Sequence, residues 1–532
     1  MIDGFVHTRA RRSFGILAAL LAAVLLLASC GGDDDDGPDA DEAESADVDP
    51  AGVLRLAYAL VQPELKLDPI QANAPTEFWI HAMFTDSLLH QLEDGTYEPG
   101  LAEKATIVNP STIRVELRSG LTFQDGTALD AEAAKFSILR NKTANQARSM
   151  RTAELSLISS IDVTSPTVFT INLSQPIAGA FYNLLAHHET APISPAAVAA
   201  GKDFNTAPVG AGAFKFESRS QQLLKLAKWD GYYGADDVRL AGVEIIDTAS
   251  ETSTINALRT KTIDASPISN AGLTQVQGVG LETRTIANPD AVLWVGLQCK
   301  KYPALGDVRV RQALNFATDK DALNQVLADG KGEPMSQFFG SSSPYHDDSL
   351  DDVYEYDLDK AKKLLADAGH ANLELSLVTS TAGGTANQAH ELLQQQWAKA
   401  GITLKLEASP NVVQDYYIDG KMAMTVTPQT RFWTDKITRN FMPGSVGNTC
   451  DPQDPAFTKM VNDLRALDPG SKEAVALWSK ISKYLSDNAL GVWGIHTTAS
   501  QVWNGDRIGD ITWKPNQLGA LYPDPTKVYI KK

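Results

Sequence analysis

The chain has 532 residues and a net charge of −18, from 65 acidic against 47 basic side chains. So acidic a balance argues against a nucleic-acid partner, because phosphate contacts need clustered Lys and Arg. The length suits two or three domains, and the cysteines are Cys30, Cys299 and Cys450.

Arg9, Arg11 and Arg12 precede an apolar run from Phe14 to Ala28. A basic segment followed by a short hydrophobic core has the layout of an export signal. The run falls short of the roughly 20 residues that span a bilayer as a helix. Leu27-Ala28-Ser29-Cys30 resembles a bacterial lipobox, which implies cleavage before Cys30 and a lipid on its sulfur. A thiolate is the nucleophile such a transfer uses. An ordinary signal peptide with a chance cysteine is the alternative. RARRSF is also similar to a twin-arginine export motif, so the route stays open. Between Cys30 and Asp49 ten side chains are acidic, none is basic and almost none is large. Such a stretch buries no core, and like charges extend it into a tether. An acidic metal-binding tract is the rival reading, but nothing in the run fixes the aspartates in a coordination geometry. The expected setting is a lipid-anchored domain on the extracytoplasmic face of a cell membrane.

The body begins with VLRLAYALVQPELKLDP, which opens on the apolar alternation of a strand. In TEFWIHAMFTDSLLHQL a helical spacing puts Phe78, Met83, Leu88 and Leu89 on one side. STIRVELRSGLTFQDGTALDAEAAKFSILRN predicts strand, glycine turn, strand, turn and helix, with Asp125-Gly126 as a turn dipeptide. Asp130 is placed to cap that helix, with Phe136 and Leu139 facing inward. TVFTINLS predicts a further strand. DVRVRQALNFATDKDALNQVLADGKG predicts two helices in series, with Val310, Ala313, Leu314 and Ala317 as one stripe and Asp319 as a cap. A helix stopped by Gly369 then precedes Leu373, Leu375 and Leu377, and one stopped by Gly401 precedes Ile402, Leu404 and Leu406. Repeated helix-then-strand units argue an open α/β sheet. TINALRTKTIDASPI adds a third such unit, and EAVALWSKISKYLSDN another long helix.

Catalytic signatures are mostly absent. No glycine-rich phosphate loop with Lys-Ser or Lys-Thr occurs. HELLQ begins like a zinc-protease helix, but Gln394 stands where a second His is needed. GSSSP lacks the closing glycine of a nucleophile elbow. His187-His188-Glu189 are neighbours that point in different directions, which favours surface or packing histidines over a metal site. We expect no enzyme, no metal and no cofactor.

Five stretches carry a resemblance. YEPGLAE, LRSGLTFQDGTALDAEAAKFSILR, APVGAGAFKF, DVRVRQALNFATDK and DLDKAKKLLADAG occur in that order. Together they resemble the family 5 extracellular solute-binding proteins of ABC importers, a class that handles oligopeptides, dipeptides and nickel complexes. The match spans about residues 52 to 510. It implies an α/β fold of the two-lobed periplasmic-binding-protein type II, with a subdomain inserted in the first lobe and ligand held between lobes that close by hinge motion. The implied division has 1–29 as signal and 30–50 as lipidated Cys and tether. Lobe I is 51–75 with 205–292 and 496–532, its inserted subdomain 76–204, and lobe II 293–495. Asp125, Gly126 and Gly210 are turn residues on this reading.

The resemblance also points to a site. Peptide-binding relatives carry a Trp and, shortly after, an Asp that pairs with the ligand's α-ammonium group. Here Trp433 precedes Asp435, more closely than usual and without the Asp-Pro that normally follows. A carboxylate is the right partner for an ammonium in a dry cleft. A solvated loop aspartate is the alternative. Arg431 is a candidate for a ligand carboxylate, and Tyr416, Phe78, Trp493, Trp79 and His496 are further cleft candidates. Some relatives hold this loop with a disulfide, which makes Cys299–Cys450 a possible bond. The expected function is a lipid-anchored receptor that delivers a peptide to ABC importer permease subunits and acts as a monomer. Nickel chelates, opines or glycosides are alternative ligands, and a sensor or an enzyme on the same scaffold is an alternative class.

Overall fold

The computed structural model describes residues 47–532 apart from 59–64, 73–74, 93–95, 144–151, 279, 382–384, 430–432, 446, 451–452, 510, 516–520 and 525–526. The signal, Cys30 and most of the tether therefore lie outside the described residues, as does Arg431.

The first lobe starts with β1 (Val53–Tyr58) and α1 (Pro75–Phe84). The chain then builds an antiparallel subdomain from β2 (Ala102–Asn109), β3 (Thr112–Leu117), α2 (Ala131–Thr143), β4 (Ile158–Ser165), β5 (Val168–Leu173) and α3 (Ala178–Tyr182). It returns through β6 (Phe214–Arg219), β7 (Leu223–Lys228), β8 (Gly242–Asp247), α4 (Glu251–Arg259) and β9 (Ala265–Ile268). The long β10 (Glu282–Leu297) leads into the second lobe. That lobe holds α5 (Val308–Phe316), α6 (Lys320–Ala328), α7 (Leu358–Asp367), β11 (Leu373–Ser380) and α8 (Thr385–Ala398). It continues with β12 (Ile402–Ser409), β13 (Met424–Gln429), α9 (Trp433–Phe441), α10 (Pro455–Ala466) and α11 (Lys472–Asp487). The second long strand, β14 (Val492–Trp503), leads back.

One sheet runs through both lobes in the order β12-β11-β13-β10-β14-β9-β1-β8-β7-β6, with the short strand Glu333–Pro334 beside β14. The two lobes are joined in this sheet by β10 and β14. They pair from Glu282 with Trp503 to Val295 with Val492, and the register breaks between Ala287 and Val292. The ladder is irregular again between Leu293 and Trp294, and an irregular ladder is where a sheet bends most easily. Separate cores flank it. One gathers residues from Leu293 to Ile495, another from Leu88 to Ala211, and a third packs Leu54, Leu56, Trp79, Ile80, Met83 and Phe84 with Val528 and Ile530.

The helix-then-strand pattern has the expected local chemistry. Asp319 accepts from the Ala322 amide and Asp130 from the Ala133 amide, each filling an orphan donor at a helix start. Gly369 and Gly401 sit at φ +80° and +88°, and β11 and β12 pair in parallel. The leucines of β11 and the Val310, Ala313, Leu314 and Ala317 stripe are buried.

The conserved-looking motifs are joints. Gln124 donates to the Phe84 and Phe214 carbonyls and accepts from the Gly210 amide. A Cβ on Gly210 would meet the Phe84 oxygen at 2.1 Å, so this glycine serves close backbone approach and not a turn. Gly126 is a true turn glycine at φ +82°. Buried Arg311 donates to the carbonyls of Leu305, Gly306, Asn488 and Ala489, capping helix ends that lack acceptors' partners. Two expectations need correcting. Helix α2 buries Ala134, Ser137, Ile138 and Asn141; half-buried Leu139 does pack on the subdomain core, whereas half-buried Phe136 is not part of it. Small polar side chains fill the buried face, where Ser137 bonds Ile193 and Asn141 bonds the Glu189 carbonyl. Helix α1 stops at Phe84, so Leu88 and Leu89 reach the subdomain core from beyond it.

Candidate ligand-binding site

Strands β10 and β14 bring Trp294 and Trp493 opposite one another, their rings 6.3 Å apart and nearly parallel. Phe338 meets Trp493 edge-on at 5.0 Å, and Phe441, the last residue of α9, lies 5.7 Å from Trp294. The strand sequence makes room for this box. A Cβ on Gly491 would strike the Trp294 ring at 2.2 Å. All four rings are buried, yet neither indole N–H has a hydrogen-bond partner among the described residues. An unmet buried donor costs about 1 to 3 kcal/mol.

The other candidates fall elsewhere. Trp433 opens α9, but its side chain and that of Asp435 are outside the described residues. Through Phe441, their helix borders the Trp294–Trp493 box. Tyr416 is buried against Val378 and Met422, its hydroxyl 3.3 Å from Thr449 Oγ1, and burial pushes its phenol up. There it packs in a small buried cluster. Phe78 stacks on His188 at 4.3 Å in a buried knot with His81 and Glu189. Desolvation takes His81 down to about 3, so the ring is neutral. His187 Nδ1 and His188 Nδ1 both lie 3.3 Å from Glu189 Oε2, so these three side chains converge in a buried polar cluster instead of pointing apart as expected. Trp79 sits in the lobe I core, and His496 is buried on β14 opposite Glu333.

Trp294 was not singled out from sequence. Its signal was there: VLWVGL and GVWGIH each place a Trp among apolar residues and glycine. Pairing between strands two hundred residues apart is what joins them.

Cys299 and Cys450 form a disulfide with Cα atoms 4.4 Å apart. It ties the end of β10 to the segment that follows α9. Thr449 reinforces the corner by donating to the Leu297 carbonyl and accepting from the Lys300 amide. Among the described residues one group could hold a metal, His346 with Asp348 and Asp351. His346 Nδ1 lies 3.0 Å from the Phe339 carbonyl and Nε2 3.2 Å from Asp351. Burial lowers its pKa, but these hydrogen bonds outweigh it and hold the ring above its ordinary value. Both ring nitrogens thus already face protein oxygens, one a carbonyl and the other a carboxylate.

Comparison with known proteins decides the family. Residues 96–448 match the family described as bacterial extracellular solute-binding proteins, family 5 Middle. The chain belongs to this family. This family 5 protein is 28% identical over 362 residues to the glutathione-binding protein GsiB of Escherichia coli (strain K12), covering 67% of this chain and 69% of that one. The periplasmic murein tripeptide binding protein MppA, in an unliganded open form, superposes with TM-score 0.78 at 18% identity, over 91% of this chain and 98% of that chain. NikA from Staphylococcus aureus, in complex with Ni(L-His)2, superposes with TM-score 0.68 at 18% identity, over 90% and 100%. The fold is therefore that of type II periplasmic binding proteins. By its family this chain is an extracellular solute-binding protein and not an enzyme. Among the described residues no helix is long and apolar enough to cross a membrane.

Proposed function

We propose that the protein is a receptor, lipid-anchored through Cys30, that binds a short peptide between its lobes and hands it to the permease subunits of an ABC importer. The observation that carries the ligand reading is the pair of unpartnered indole N–H groups beside the helix that bears Trp433 and Asp435. A peptide offers what this corner lacks. Its backbone carbonyls accept from Trp294 and Trp493, its ammonium pairs with Asp435, and its carboxylate suits Arg431. Glutathione and a murein tripeptide, named for the relatives, are short peptides. The acidic stretch ending at Asp49 serves as the tether that lets the lobes reach the permease.

For the domain division we keep lobe II at 293–495 and set the inserted subdomain at about 88 to 211. The reason is that Trp79, Ile80, Met83 and Phe84 pack in the lobe I core, not in the subdomain.

Native mass spectrometry of the protein purified without refolding tests the ligand class. The expected result is an added mass that fragments as a short peptide. A bound nickel chelate or an opine in its place would transfer the protein to that ligand class and remove the role assigned to Asp435.

A further inference from the structure

The subdomain is bonded to lobe I at three places. Arg140 on α2 donates both its terminal nitrogens to Asp68, and Gln124 bonds the carbonyls of Phe84 and Phe214. Asp86, reached by His90 and Tyr232, adds a third buried joint. Lobe II hangs from lobe I through β10 and β14. The subdomain nevertheless also touches lobe II. Helix α3 packs on α10, and the contact is made by backbone. A Cβ on Gly179 would lie 1.7 Å from the Leu467 carbonyl oxygen and 3.1 Å from that of Arg465. Gly179 does not adopt a left-handed conformation, so only the close approach requires glycine there.

Charged groups line both sides of this contact. The Arg465 guanidinium is largely desolvated, with Glu154 of the subdomain as the acidic group that offsets the loss. Tyr182, on α3, faces Asp468, and burial with that charge pushes its phenol up to about 12. The elements in contact are short. A five-residue helix meets the end of α10. A short, backbone-tight contact between lobes joined by two strands is suited to forming and breaking.

We propose that α3 and the segment Arg465–Asp468 form a latch that holds the lobes closed, and that Gly179 is its positioning residue. The proposal rests on the reading of the protein as a two-lobed receptor, in which the population of the closed state sets how long ligand is retained. Gly179→Val should leave the far-ultraviolet circular dichroism unchanged. It should raise the radius of gyration in small-angle scattering and speed amide exchange in 178–182 and 465–468 by about tenfold. With reduced glutathione as probe, dissociation from Gly179→Val should be about tenfold faster than from the unaltered protein. Scattering and exchange read the latch without ligand, so failure of glutathione to bind at all counts against the ligand proposal alone. Unchanged scattering and unchanged exchange in both segments would overturn the latch. If Gly179→Val loses the subdomain fold, Glu154→Gln decides. Faster exchange at 465–468 supports the latch, and unaltered exchange rejects it.

Discussion

Removing the Cys299–Cys450 bond, by Cys299→Ser with Cys450→Ser, should cost the protein a large part of its stability. The two residues are 151 positions apart. In the chain-entropy view a loop of that length is worth about 5 kcal/mol, and measured losses run from about 2 to 5. A typical domain has about 5 to 15 kcal/mol in all. The native contacts limit the damage. Asn448 still donates to the Phe441 carbonyl and the Lys300 amide still bonds Thr449, so lobe II should stay folded at neutral pH. Urea titration followed by tryptophan fluorescence is the assay, since Trp294 and Trp493 are buried in the core against which both cysteines pack. The midpoint should fall, and the slope should rise because an uncrosslinked denatured chain exposes more surface. Amide exchange should quicken in 442–450, the segment that returns α9 to the end of β10. Equal midpoints for the two proteins, or two free thiols on alkylation of the secreted protein, would refute the reasoning.

Further expectations follow from single residues. Lys320 is buried, donates to Ser336 Oγ at 2.8 Å, and is brought by desolvation from its ordinary 10.5 to about 7. Between those values the unfolded lysine binds the proton that the folded one gives up, so stability rises with pH, and below about 7 the whole penalty is in place. From pH 7 to pH 9 the unaltered protein should gain about 2 kcal/mol relative to Lys320→Met, and parallel urea curves for the two would contradict the burial argument. Cys30→Ala should abolish lipid labelling and release the protein from membranes. Membrane retention with label in that variant removes the lipobox reading.

How much was legible differs by scale. Asp319, Gly369 and Gly401 act within one turn of their own helix, so cap and stop were readable from neighbours alone. Phe136 misled because the partner of the buried face is distant in sequence: Ser137 bonds Ile193 and Asn141 bonds the Glu189 carbonyl, so small polar side chains fill that face. Gly210 looked like a turn residue because nothing local shows that the Phe84 backbone passes against it. The same limit applies to the cleft candidates. Tyr416 and Phe78 were chosen as aromatics near suggestive motifs, and each has a packing partner, Thr449 or His188, that no sequence window contains. Trp294 gains its meaning only from the ladder that sets it against Trp493.

The measurement that bears most directly on the central claim is a calorimetric titration of the mature protein with reduced glutathione and a panel of tripeptides. Each tripeptide is offered with a free and with an acetylated amino terminus, against the unaltered protein and Asp435→Asn. A buried ion pair that loses one partner costs about 3 to 5 kcal/mol, and about 1.4 kcal/mol is tenfold in affinity. The account predicts that at least one free peptide binds, and that acetylation or Asp435→Asn each weakens it by about a hundredfold or more. Equal affinity for free and acetylated peptides in both proteins, or no peptide bound at all, would contradict it.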